Sequence, residues 1–131
     1  MKYILLMQFP VSAWKTESLP TWAPEDAKRH LAFLHRFNEE MIASGEFVET
    51  KGLAAWEAAR IVRANGSAPP SVSDGPFAET KEFLAGWWVV DVGTAERAYE
   101  LAAKASAGPG PGGKPLNMPI EVRPVMMELG S

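Results

Sequence analysis

The chain has 131 residues, of which 47% are hydrophobic and 22% charged, with a formal net charge of −3. That is an ordinary globular composition, and one domain over residues 1–131 is expected. Cysteine is absent, which excludes disulfides, thiolate nucleophiles and thiolate metal sites. No Lys/Arg run exceeds a dipeptide, so the chain lacks the basic footprint of a direct nucleic-acid binder. After Lys2 only five apolar residues precede Gln8, too few for a signal-peptide core, and no apolar stretch nears the ~20 residues that span a bilayer. The expectation is a soluble, cytoplasmic protein with no membrane contact.

Residues 2–9 read as a strand with Tyr3, Leu5, Met7 and Phe9 on one face, Ile4 and Leu6 on the other, and Pro10 as its stop. A polar and aromatic connection over 11–23 leads to Pro24-Glu25-Asp26, a proline and two acids suited to a helix's first turn. The helix is expected over about 24–44, with Ala27, His30, Leu31, Leu34, Phe37, Met41 and Ile42 on one side and Ser44-Gly45 as its end. A weaker strand is read within 46–56. Arg60-Ile61-Val62-Arg63 then enters a turn at Asn65-Gly66, and the proline-interrupted limb 68–73 suits an edge. Asp74-Gly75-Pro76-Phe77 reads as a turn and 78–82 as a short helical or irregular turn. The unbroken apolar run from Phe83 to Val92 predicts a central strand buried on both faces. Thr94 caps a second helix with Ala98, Leu101, Ala102 and Ala105 inward. Residues 106–119, rich in Gly and Pro, read as a mobile loop, and a last strand runs from Ile120 to about Met127.

This order implies an α+β, ferredoxin-like antiparallel sheet with two helices on one face. The uncovered face would carry large apolar side chains, a patch a monomer rarely tolerates. Sheet-to-sheet homodimerisation about a two-fold axis would bury it.

Asp74-Gly75-Pro76-Phe77-Ala78-Glu79-Thr80-Lys81-Glu82 resembles the signature of the DGPF branch of YCII-related proteins. Gly52-Leu53, Leu84-Ala85-Gly86 with Val90-Asp91-Val92, and Ile120 to Val125 extend the resemblance over essentially the whole chain. It implies a dimeric α+β barrel, possible small-molecule chemistry, and the association with extracytoplasmic-function sigma factors often attached to DGPF proteins. The chain departs from the pattern at Ala23, where relatives often have Ser, at Ala85, where a second glycine is usual, and in the longer 106–119 loop. Some YCII proteins are proposed to pair a first-helix His with an Asp. Neither His30 nor His35 matches that spacing cleanly.

Asp74 and His30 are the candidate acid–base pair: Asp74 because a turn before a central strand can aim a carboxylate into the cleft between helices and sheet, His30 because it lies on the apolar side of the first helix. The structural alternatives are an Asx-turn for Asp74 and a satisfied core ring for His30. His35 is expected to be solvated, and the five-residue spacing of the histidines misses a helical metal pair. Ligand-binding candidates are Trp87, Trp88, Glu79, Lys81 and Arg123. One indole of the Trp pair should be core and the other could floor a pocket; Glu79 and Lys81 could equally be a solvated run, and Arg123 could simply pair with Glu121. Trp14, Trp22 and Trp56 would serve as a lid or a contact surface. No nucleotide-binding, nucleophile-elbow or metal motif occurs, so no cofactor and no metal are expected. The leading expectation is a homodimer that binds an aromatic or acidic metabolite, with acid–base chemistry of a lyase or isomerase kind. The alternative is a non-catalytic partner associated with a sigma factor, touching it through exposed Trp side chains and the 106–119 loop.

Overall fold

The computed structural model describes residues 1–10, 22–77 and 81–130. Strands β1 (Lys2–Pro10), β2 (Phe47–Gly52), β5 (Glu82–Asp91) and β6 (Ile120–Pro124) form an antiparallel sheet in the order β2-β5-β1-β6. Helices α1 (Pro24–Ser44) and α2 (Ala95–Ser106) cover one face. The fold is α+β and ferredoxin-like, with a hairpin of β3 (Arg60–Asn65) and β4 (Ala68–Asp74) inserted between β2 and β5. None of the described helices is long and apolar enough to cross a membrane.

The period-two pattern of β1 decides what is buried. Tyr3, Leu5, Met7 and Phe9 meet Phe83, Trp88 and Val90 of β5 on the helix side, joined by Phe37 and Met41 of α1 and by Ala98, Leu101, Ala102 and Ala105 of α2. Each large side chain buried there contributes about 1.5–3 kcal/mol. Antiparallel partners share a face, so the register places Ile4 with Val89 and Arg123, and Leu6 with Trp87 and Glu121, on the opposite side. The two-faced burial expected for β5 is thus met on one face only: Phe83, Trp88 and Val90 are buried, Trp87 and Val89 half-buried.

Both helix starts follow the local chemistry. Pro24, Glu25 and Asp26 open α1 without a side-chain cap at Ala23, and Gly45, at φ 79°, ends it with its N–H donating to the Ile42 and Met41 carbonyls. Thr94 Oγ1 accepts from Arg97 N–H at 3.2 Å to cap α2. Arg97, which interrupts a capping box, instead donates from Nε and Nη2 to Glu46 at 2.8 and 2.9 Å, tying the start of α2 to the end of α1. That bond holds the Glu46 carboxyl at a pKa of about 2, below the usual carboxylate range.

Three expectations change. The β3–β4 hairpin is no edge of the main sheet but a separate two-stranded sheet; Pro69 and Pro70 remove ladder donors, and Val62 and Val72, opposite one another, are each 61% exposed. The inward stripe of α1 is narrower than its periodicity implies, with Leu31 46% and Ile42 59% exposed. The 106–119 segment is a folded strap: Leu116 N–H donates to Gly108 O, Gly110 N–H to Lys114 O, and Ser106 Oγ to Met118 O, with Met118 buried. Glycine lets the strap lie flat, since a Cβ on Gly108 would stand 3.0 Å from the Phe33 ring. Past β6 the chain stays near the sheet: Val125 N–H donates to Lys2 O, and Lys2 pairs with Glu128.

Candidate functional site

The cleft forms where the two layers part. The C-terminal half of α1 is seated by Phe37 and Met41, and Phe37 meets the Trp88 ring edge to face, centroids 5.5 Å apart. Toward its N-terminal half the helix faces Thr50 and Gly52 of β2 and Ala85 and Gly86 of β5, residues too small to reach it. The result is an apolar cleft of about 380 Å³ lined by Met7, Phe9, Leu31, Leu34, Ala85 and Trp88. Polar groups enter it from His30, His35 and Asn38 of α1 and from Thr50. This is the usual make-up of a small-molecule site: mostly apolar walls with a few fixed polar groups.

His30 has a defined protonation pattern. Its Nδ1 lies 3.0 Å from the Pro109 carbonyl on the strap. A carbonyl only accepts, so Nδ1 carries the proton and, in the neutral ring, Nε2 presents a lone pair. Nε2 has no hydrogen-bond partner among the described residues. Trp22 packs edge-on against the ring, centroids 5.2 Å apart. Burial pushes the His30 pKa below its ordinary 6.5, with the Pro109 carbonyl opposing in part. His30 is therefore a neutral base at the wall of the cleft.

Asn38 is oriented just as firmly. Trp88 Nε1–H donates to Asn38 Oδ1 at 2.9 Å, and an indole can only donate, so the amide must turn its oxygen to Trp88 and its NH2 away. Thr50 Oγ1 donates to the Trp87 carbonyl at 2.9 Å.

The other sequence candidates are dispersed. Asp74 does not point into the cleft: at the end of β4 its side chain is 95% exposed, 3.6 Å from Arg60. The hairpin carries it off the main sheet, so it is not brought to His30. Of the Trp pair, Trp88 lines the cleft and belongs to the core, whereas Trp87 faces the open side and donates from Nε1 to Glu49 at 3.1 Å. Arg123 is on that open side too, its Nε 3.9 Å from Glu121. Lys81 is exposed just before β5. Glu79 and Trp14 lie outside the described residues. Trp56 packs against the core beside a second apolar hollow near Phe83 and Leu84. Among the described residues no three metal-ligating side chains come together.

Asn38, Thr50 and the Pro109 carbonyl were missed by sequence reasoning. A signal for Asn38 existed: Leu31, Leu34, His35 and Asn38 stand at i, i+3, i+4 and i+7, a second helical stripe beside the core one.

A family model of the YCII-related domain matches residues 1–109. The chain is also similar to the uncharacterized protein R00369 of Rhizobium meliloti (strain 1021), at 29% identity over 123 residues, covering 92% of this chain and 94% of that protein.

Proposed function

This chain belongs to the YCII-related domain family, and on that premise we propose that it is a homodimeric protein that binds a flat, largely apolar metabolite between α1 and the sheet, with His30 as the proton-exchanging group. The observation that carries the reading is the His30 geometry: a ring held neutral by burial, fixed by its Nδ1–H bond to Pro109, with Nε2 lacking a hydrogen-bond partner among the described residues, at an apolar cleft. A neutral imidazole in that setting accepts a proton from a bound acid and returns it, as lyase or isomerase chemistry requires, with no cofactor. Asp74 takes no part in this reading.

The dimer is supported by the open face. Ile4, Leu6, Trp87 and Val89 form its apolar centre, and each border strand contributes one acid and one base, Glu49 with Lys51 on β2 and Glu121 with Arg123 on β6. A surface carrying both signs around an apolar centre suits a two-fold contact with its own copy.

Native mass spectrometry of the freshly purified protein tests both parts. The expected spectrum is a dimer with a retained small molecule that is lost in Leu34→Trp, whose indole fills the cleft. A monomer contradicts the dimer; retention of the same mass by Leu34→Trp contradicts the cleft.

A further inference from the structure

We infer that the cleft reads its ligand at two ends: it selects an elongated, planar molecule with a hydroxyl at one end, received by His30 Nε2, and a carbonyl at the other, received by the Asn38 amide N–H groups. This rests on the cleft reading above and specifies the class of molecule.

Each polar end of the cleft has one kind of hydrogen bond left to offer. Pro109 takes the Nδ1 proton of His30, so the ring can only accept in the cleft. Trp88 takes the oxygen of Asn38, so the amide can only donate. The two vacancies are thus opposite in kind, and neither can be reversed without breaking a bond to a core residue or to the strap. His30 and Asn38 are eight residues apart on α1, about 12 Å along the helix axis, so one compact group cannot serve both. Between them the walls are mainly Leu31 and Leu34 on the helix and Ala85 and Gly86 on the sheet, with His35 and Thr50 as the polar side chains beside them; Lys51, opposite Trp87, has its side chain on the open face of the sheet. A flat conjugated spacer fits such a slot, because it buries apolar area and loses few torsions on binding. In mid-cleft the polar side chains are His35 and Thr50, and Thr50 Oγ1 already donates to the Trp87 carbonyl, so a hydrophilic chain of the same length would leave most of its polar groups desolvated without partners.

Three neutral probes isolate the two ends: 4-hydroxybenzylideneacetone, which has both groups, benzylideneacetone, which lacks the hydroxyl, and 4-hydroxystyrene, which lacks the carbonyl. Isothermal titration calorimetry on the intact protein should find the two-ended probe bound about five- to tenfold more tightly than either truncated one, the effect of one net hydrogen bond at each end. His30→Phe should erase the hydroxyl's advantage and leave the carbonyl's. Asn38→Asp keeps an acceptor for Trp88 Nε1 while removing the donors, and should erase the carbonyl's advantage and leave the hydroxyl's. Equal binding of all three probes, or variants that weaken all three alike, overturns two-ended recognition; the cleft reading then still stands if Leu34→Trp abolishes binding. Probes that bind Leu34→Trp as they bind the native chain, or no binding by any probe, overturn both.

Discussion

The two helices cover the same sheet face in different ways. α2 presents Ala98, Leu101, Ala102 and Ala105, all buried, and small side chains let a helix lie flush on a sheet. α1 puts only Phe37 and Met41 fully into the core, both in its C-terminal half, and its other half overlies Gly52, Ala85 and Gly86, whose small side chains leave a gap walled by Met7 and Phe9. Packing on one side and vacancy on the other thus follow from side-chain size: large residues anchor one end of α1 and glycine and alanine leave space under the other. The cleft is a consequence of this uneven layer.

The anchor of α1 should show the largest effect. Phe37→Ala should cost about 3–5 kcal/mol, as truncation of a buried aromatic generally does, and calorimetric unfolding would register a large fall in Tm. A loss under 1 kcal/mol would mean that α1 is not anchored there. On the flush helix the opposite change should hurt: Ala98→Leu adds volume at a fully buried position and should cost about 1–3 kcal/mol by chemical denaturation. An unchanged midpoint would show that α2 stands off the sheet as α1 does. The smallest effect belongs to the cleft side. Leu31→Ala, at a position already 46% exposed, should shift stability by no more than about 0.5 kcal/mol, while weakening any ligand that uses the Leu31 wall.

Much of this architecture was legible in the residues. The alternation of β1, the proline and acids at the start of α1 and the apolar spacing in α2 name the elements and their inward faces, because period and capping are local properties. The hairpin's separation and the strap were not legible, since both depend on where distant backbone lies: Gly110 and Leu116 read as loop residues until their bonds to Lys114 and Gly108 are seen. The same limit applied to the site. His30 is visible as a histidine on an apolar stripe, but its tautomer is set by Pro109, 79 residues away. Asp74 looked apt because of its turn, and the hairpin's placement removes it. Asn38 was hidden among the polar residues of α1, and its orientation comes from Trp88, 50 residues on.

His30 is a neutral base with Nδ1 protonated and Nε2 left to accept at the cleft wall. Nitrogen NMR of the imidazole across a pH titration measures both features. The account predicts the Nδ1–H tautomer at neutral pH and a folded-state pKa below 6.5, the direction burial imposes. The unfolded chain then binds more protons between that folded pKa and about 6.5, so the stability associated with His30 is complete above about pH 6.5 and is lost as pH falls to the folded pKa. An Nε2–H tautomer, or a pKa at or above 6.5, would contradict the account.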